Sequence, residues 1–154
     1  PNPQYIVIHH TVDSGSGGTE EGAKEFAQGI QRFHVCTRGW SDSGHNFLNT
    51  VGGFLLEGRH GSLDAVIDGK CVNSAHTQGA NESPGIENEG NFQHDEMDDT
   101  QWNSLVELCA ALCKNCNIDP DNIKGHKDFD KTACPGDNLY AKLPELRKQV
   151  RLRL

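Results

Sequence analysis

Hydrophobic residues recur along the chain with two spacings, one typical of strands and one typical of helices. Residues 5–9 form a short apolar, β-branched run, which predicts a buried strand. Thr19 is followed by two glutamates and then by apolar residues at helical spacing, which predicts a helix ending near Cys36. The pattern over residues 45–57 is strand, Gly-Gly turn, strand, and predicts a hairpin.

The second half of the chain continues this alternation. Further short strands are predicted around residues 65–67 and at residues 85–88, and residues 123–126 are predicted to form a strand or an extended segment. Apolar positions after an acidic stretch predict a long helix capped by Thr100, and residues 138–150 predict a closing helix with a break at Pro144. Strands and helices that alternate in this way favour the mixed α/β class, with a central, mostly mixed β-sheet flanked by helices. We expect residues 1–154 to form a single domain.

Charge and hydropathy exclude two classes of partner. The net charge is −8, with 22 acidic against 14 basic residues, which argues against binding to a phosphate backbone. Apolar residues make up 34% of the chain, and no apolar run approaches the roughly 20 residues that cross a bilayer. The composition therefore predicts neither a nucleic-acid partner nor a membrane anchor.

The chain has six cysteines, an unusual number for an ordinary cytosolic domain. Cys113 and Cys116 form one CxxC pair, whose alternative interpretation is a second zinc site, although no second pair accompanies it. If Cys134 binds a metal, the five others allow at most two disulfides, and their pairing cannot be read from spacing. The cysteines favour an oxidising compartment.

Histidine and cysteine residues that suit a catalytic metal are spread across the chain. Such a site needs three protein ligands and an open position for water. His126 and Cys134 lie eight positions apart in one loop, and either His9 or His10 can supply a third ligand. Side chains alternate along a strand, so only one of these neighbouring histidines points at the metal, and spacing does not decide which. The set predicts a zinc site with one thiolate ligand.

Five ordered motifs give the chain a resemblance to a known family. They are VIHHT (7–11), GWSDSGHNFL (39–48), LLEGR (55–59), AHTQGANESPGIENEGNF (75–92) and GHKDFDKTACPGDNLY (125–140). In this order they resemble the zinc N-acetylmuramoyl-L-alanine amidases, a family that includes phage amidase lysozymes and peptidoglycan recognition proteins. The resemblance implies the fold of that family and Zn²⁺ bound by His9, His126 and Cys134.

The resemblance also implies a reaction and catalytic residues. The reaction is hydrolysis of the amide bond between N-acetylmuramic acid and the L-alanine of the stem peptide, by a water that zinc activates. Thr132, two positions before the cysteine, is the predicted hydrogen-bond donor to the oxyanion, with a loop-holding role as the alternative. Catalytic members usually have Tyr where this chain has His45, and we hypothesise that His45 takes over its role.

Other polar residues in the motifs are candidates for contact with substrate. They are Trp40, Arg59, His76 and Asn91, and loop bracing is the alternative for Arg59 and His76. Glu87 is interpreted as a structural carboxylate within a strand, and Asp128 either supports the metal or braces its loop. The histidines outside these motif positions, His34, His60 and His94, are predicted to lie at the surface.

These interpretations predict peptidoglycan as the partner of a monomeric protein. We expect it to be secreted or cell-wall associated, or to act on a host wall as a phage endolysin. Three alternatives remain open at this stage: a non-catalytic peptidoglycan-binding module, a hydrolase with Cys134 as its nucleophile, and a protein with a closed structural zinc.

Overall fold

The fold is built on one mixed sheet. The computed structural model describes residues 2–154, and its strands are β1 (Ile6–His10), β2 (Phe47–Asn49), β3 (Leu55–Glu57), β4 (Gly85–Asn88) and β5 (Ile123–Gly125). The strand order is β3-β2-β4-β1-β5, in which β1, β2, β4 and β5 run parallel and β3 is antiparallel to β2. The predicted mixed α/β class is confirmed, and so is the hairpin of β2 and β3.

Five α-helices surround the sheet. They are α1 (Glu20–Arg32), α2 (Ser62–Ile67), α3 (Asp99–Cys116), α4 (Asp137–Ala141) and α5 (Leu143–Leu152). The Thr19 side chain accepts a hydrogen bond from the Gly22 N–H, which confirms the predicted start of α1. A π-helical turn over Phe33–Thr37 extends α1 to about the predicted end.

The hydrophobic core lies on one face of the sheet. Ile6 and Ile8 of β1 and Ile86 of β4 are fully buried there, against apolar residues of α3 and α5. Since side chains alternate along a strand, His9 and its register partner Glu87 project from the opposite face. The core therefore leaves the second face of the sheet available for polar chemistry.

Two sequence predictions are wrong in detail. Residues 65–67, predicted as a strand, lie in helix α2, because six residues are too few for helical periodicity to show. The cap of α3 is Asp98, whose side chain accepts from the Gln101 N–H, while Thr100 lies inside the helix.

The six cysteines are all free thiols. Burial, followed by the nearby Cys116, raises the pKa of Cys71 to about 12, so this thiol stays protonated. In the part of the chain that the structure describes, Cys113 and Cys116 join no cluster of metal-binding side chains, so the alternative of a second zinc site is not supported. These two residues pack in the core as small apolar side chains.

Within residues 2–154, none of the helices combines the length and the apolar character that crossing a bilayer requires.

Glu89, directly after β4, ties together two loops beside the sheet. Its carboxylate accepts hydrogen bonds from the backbone N–H groups of Gly15, Ser16 and Val51, and from the Ser16 hydroxyl. Burial opposes ionisation, but these hydrogen bonds outweigh burial and lower the pKa of Glu89. The ionised carboxylate therefore stabilises the loop that leads into α1.

We expect Glu89→Ala to lower the free energy of unfolding by about 3 kcal/mol, because it leaves buried N–H groups without an acceptor. Since the folded pKa lies below the unfolded value of about 4.3, the stabilisation is present above that pH. It is lost as the pH falls through the folded pKa. Urea unfolding at several pH values measures both effects, with the exposed Glu96→Ala as control. Equal stability of the two variants at pH 7 would contradict this role.

Candidate metal centre and active site

Three distant segments meet beside the carboxyl ends of the parallel strands. His9 lies near the end of β1, His126 directly follows β5, and Cys134 belongs to the loop before α4. One ligand atom from each of these residues lies within 4.8 Å of the other two. Ligand sites in open α/β sheets commonly form at this edge. In the described residues this is the one cluster of three or more side chains able to hold a metal ion.

The structure distinguishes the two neighbouring histidines. His9 is 2% exposed, and its Nδ1 lies 3.8 Å from the Cys134 Sγ. The His10 Nδ1 instead accepts a hydrogen bond from the Phe92 N–H, at 3.1 Å. His9 is therefore the histidine of β1 that faces the cysteine, as the resemblance implied.

His126 presents an unused nitrogen to the cluster. Its Nε2 hydrogen bonds to the Asp130 Oδ2 at 2.7 Å, whereas its Nδ1 is buried and has no hydrogen-bond partner among residues 2–154. A buried nitrogen without a partner is costly unless a ligand satisfies it. Two imidazole nitrogens and a sulfur are a donor set that suits Zn²⁺, and three protein ligands leave one position for water or substrate. The residues present therefore fit a catalytic zinc ion.

Glu87 stands beside this cluster. Its Oε1 lies 4.0 Å from the His9 Nδ1, and its side chain is 21% exposed. Burial raises the pKa of Glu87 to about 8, and its carboxyl hydrogen bonds to no group in the described chain. Sequence reasoning interpreted Glu87 as structural. The signal for another role was its position opposite the end of the His9 strand, which only strand pairing reveals.

The Cys134 thiol is not activated by its surroundings. Burial, followed by the nearby Glu87, raises the pKa of Cys134 to about 12 in the absence of a cation. A cysteine nucleophile needs a lowered pKa, so these surroundings argue against the metal-free thiol hydrolase. A metal ion, in contrast, deprotonates a coordinating thiol.

A groove of about 570 Å³ runs between α1 and the end of β1. It is lined by His10, Thr11, Asp13, Gly15, Glu25, Phe26, Gly29, Ile30, Phe33, His34 and Glu87. The sequence periodicity had found the apolar face of α1, and the structure shows that much of this face lines the groove instead of the core. Glu87 thus connects the metal cluster to a partly apolar groove.

The four predicted substrate contacts lie outside the residues that line this groove. Trp40 packs against Gly44. The Arg59 guanidinium donates to the backbone carbonyls of Ser43 and Asn73, so it braces loops. Contact of these residues with substrate stays a prediction.

The two remaining candidates also make internal contacts. Asn91 accepts a hydrogen bond from the Gln93 N–H in a turn. His76 is buried behind His9, with its Nδ1 3.0 Å from the His9 Nε2. The His76 ring is 8% exposed and does not line the groove, and its contact with substrate stays a prediction.

The two predicted catalytic residues differ in position. The Thr132 Oγ1 accepts a hydrogen bond from the Cys134 N–H at 3.2 Å, which keeps it next to the cluster, so its role toward the oxyanion stays a prediction. His45 is 2% exposed and lines a separate, smaller cavity with residues such as Lys24 and Gln28. Burial, then the neighbouring His34 and His76, lowers the pKa of His45 to about 3, so its ring is neutral near pH 7.

We expect His45→Ala to reduce stability more than turnover. Removal of a buried ring costs about 2 kcal/mol or more in the free energy of unfolding. Loss of a catalytic acid or base costs about 10²–10⁴-fold in rate, and we expect a smaller loss because His45 lies outside the groove. Turnover and urea unfolding of His45→Ala and His45→Tyr measure both quantities. A hundredfold loss of turnover at unchanged stability would support the catalytic role of His45.

The two roles considered for Asp128, bracing its loop and supporting the metal site, belong to two different aspartates. Asp128 braces its loop, because it accepts from the Gly125 N–H and from the Tyr140 hydroxyl. Asp130, which sequence reasoning missed, contacts the His126 ring. Among the histidines predicted at the surface, His60 and His94 are exposed, whereas His34 is half-buried and lines the groove.

The sequence is similar to a known family and to characterised proteins. A family profile described as N-acetylmuramoyl-L-alanine amidase matches residues 1–137. The chain is 31% identical over 138 residues to peptidoglycan recognition protein 1 of Bos indicus, covering 89% of this chain and 68% of that protein. A 30% identical relative, peptidoglycan-recognition protein SC2 of Drosophila melanogaster, is covered to 70%, with 88% of this chain aligned.

Solved structures with a similar fold include an amidase and a peptidoglycan recognition protein. N-acetylmuramoyl-L-alanine amidase LysC from Clostridium intestinale has a TM-score of 0.78 and 31% identity, over 97% of this chain and 86% of that one. A Drosophila PGRP-LB mutant in complex with tracheal cytotoxin has a TM-score of 0.80 and 26% identity, over 93% of this chain and 81% of that one. With its matching profile, fold and ordered motifs, the chain belongs to the N-acetylmuramoyl-L-alanine amidase family.

Proposed function

We propose that this protein is a zinc-dependent N-acetylmuramoyl-L-alanine amidase that hydrolyses the bond between N-acetylmuramic acid and the first stem-peptide residue, L-alanine. The observation that carries the proposal is the convergence of His9, His126 and Cys134 within 4.8 Å. The Nδ1 of His126, which is buried and has no hydrogen-bond partner among residues 2–154, supports it. Family membership supports the substrate class, and the structure of the PGRP-LB relative contains tracheal cytotoxin.

The residues around the cluster suit amide hydrolysis. A zinc ion held by the three side chains supplies a Lewis acid that polarises the amide carbonyl and lowers the pKa of water. Glu87 faces the groove, and a bound cation nearby would favour its ionised form, which burial alone opposes. The carboxylate would then take a proton from the attacking water and return it to the leaving nitrogen. The Thr132 hydroxyl donates a hydrogen bond to the developing oxyanion.

The groove suits an extended substrate. Its wall on α1 presents the apolar side chains of Phe26, Ile30 and Phe33. Among the residues that line it, Asp13 and Glu25 are exposed acids, and none is a lysine or arginine. In this proposal the amide between the sugar and its peptide branch lies at Glu87, and the sugar and the peptide extend along α1. We further propose that the domain acts as a monomer on wall material outside the cytoplasm, either as a secreted protein or as an endolysin.

Mass analysis of digested peptidoglycan, combined with metal analysis of the same preparation, tests reaction, bond and cofactor together. We expect one zinc per chain and release of stem peptides that begin with a free L-alanine amine. Tight binding to peptidoglycan without any released peptide would favour the alternative of a recognition module. That alternative deserves weight because the curated relatives are peptidoglycan recognition proteins.

A further inference from the structure

The ring of His76 determines which nitrogen of His9 carries a hydrogen. The His76 Nε2 lies 2.7 Å from the Ser83 carbonyl oxygen, and its Nδ1 lies 3.0 Å from the His9 Nε2. A carbonyl oxygen only accepts, so the His76 Nε2 carries the hydrogen and its Nδ1 is the acceptor. The His9 Nε2 must then donate, which leaves the His9 Nδ1 with a free lone pair on the side of Cys134.

The contact with Asp130 likewise determines which nitrogen of His126 carries a hydrogen. The Asp130 Oδ2 accepts from the His126 Nε2 at 2.7 Å, from the Thr77 hydroxyl at 2.7 Å and from the Gln78 N–H at 3.2 Å. A carboxylate is an acceptor only, so it holds the His126 hydrogen on Nε2 and leaves Nδ1 bare. This is the nitrogen that is buried without a partner.

One short loop therefore controls both rings. The backbone of this loop is fixed independently, because the Asn81 Oδ1 accepts from the N–H groups of His76 and Thr77. The His76 ring is 8% exposed and lies against Gly85, where any Cβ atom would collide with it. The loop is thus rigid enough to hold two neighbouring imidazoles in chosen tautomers.

We propose that residues 76–78 are positioning residues for both imidazole ligands. His76 sets the tautomer and orientation of His9 directly, and Thr77 and Gln78 set those of His126 through Asp130. The inference rests on the proposed metal site and adds to it the groups that prepare the site before a metal arrives. Groups that orient metal ligands in this way typically contribute about 10–100-fold to metal affinity.

A matched pair of variants tests the His76 contact. In His76→Gln the amide lies near the former Nε2 position, which keeps a donor for the Ser83 carbonyl but leaves His9 without its acceptor. In His76→Asn the amide oxygen lies near the former Nδ1 position and still accepts from His9. In zinc competition with a chromophoric chelator, we expect His76→Gln to raise the dissociation constant about 10–100-fold and His76→Asn less than about threefold. Equal losses in both variants would overturn the proposal.

A second pair tests the loop's hold on Asp130. Thr77→Val keeps the shape of the side chain but removes the hydroxyl donor, whereas Thr77→Ser keeps that donor. We expect zinc affinity to fall about three- to tenfold in Thr77→Val and to stay unchanged in Thr77→Ser. The loss in Thr77→Val is smaller than that in His76→Gln because the Gln78 N–H still donates to Asp130. Unchanged affinity in Thr77→Val would remove Thr77 from the proposal.

A readout without metal separates this inference from the proposed function. Nitrogen-15 spectra of histidine side chains in the zinc-free protein report which ring nitrogen is protonated. We expect His9 and His126 in the Nε2–H form in the wild type, and a mixed population for His9 in His76→Gln. An Nδ1–H form of His9 in the wild type would refute the inference. Failure of the wild type to bind zinc would instead refute the proposed function, whatever the tautomers are.

Discussion

Cys134→Ser is expected to lose zinc and with it all measurable amidase turnover. A serine hydroxyl has a much higher pKa than a thiol and is a poor zinc ligand near pH 7. Loss of a direct ligand must cost more than the roughly 100-fold in affinity that loss of an orienting group costs. Zinc content after dialysis and turnover on purified peptidoglycan are the two measurements.

Cys36→Ser is the matched control for this change. It is the same substitution at an exposed thiol that belongs to no metal cluster in the described residues, so zinc content and turnover should stay at wild-type values. Full turnover of Cys134→Ser without bound zinc would contradict metal-dependent catalysis. Undiminished zinc binding by this variant would show that the ion is held elsewhere.

Glu87→Gln is expected to keep zinc and lose about 10²–10⁴-fold in turnover. The amide has nearly the shape of the carboxyl but cannot take a proton from water, and a positioned acid or base contributes about that factor. The Glu87 Oε1 is 4.0 Å from the Nδ1 of His9, one of the residues that would hold the ion. Single-turnover rates at saturating zinc isolate the chemical step.

Glu25→Gln is the control for loss of a carboxylate from the same groove. Glu25 is exposed on α1, outside the metal cluster, so its substitution should alter substrate binding more than the chemical step. If Glu87→Gln lost zinc affinity instead, Glu87 would be a fourth ligand and the site would be of the closed, structural kind. Turnover near the wild-type level would exclude it as acid or base.

The local elements were largely predictable from the chain. Residues 5–9 are predicted as a strand because a β-branched run bounded by turn residues has few other stable conformations. The start of α1 was predictable because Thr19 is a residue type that caps helices, and its side chain accepts from the Gly22 N–H directly before the first apolar position, Ala23. Helix α2 escaped prediction because its six residues carry too little periodicity to distinguish it from a strand.

Positions of side chains across the sheet were not predictable in the same way. The order β3-β2-β4-β1-β5 places β4 beside β1, and it is this pairing that brings Glu87 opposite His9. The apolar face of α1 looked like core, yet Phe26 and Ile30 line a groove, because periodicity shows that a face is apolar but not what covers it.

The amino-acid sequence by itself determined the class of fold, the ordered motifs and a set of metal-binding candidates, which are His126, Cys134 and one of the neighbouring His9 and His10. Those properties follow from local conformational preference and from residue chemistry, which act over a few neighbouring positions. Tertiary structure alone decided that His9 and not His10 faces Cys134 and that Glu87 borders the groove. It also decided that His76 contacts the His9 ring, whereas Thr77 and Gln78 contact Asp130. These are contacts between residues dozens of positions apart, and only packing of the whole sheet brings them within hydrogen-bond distance.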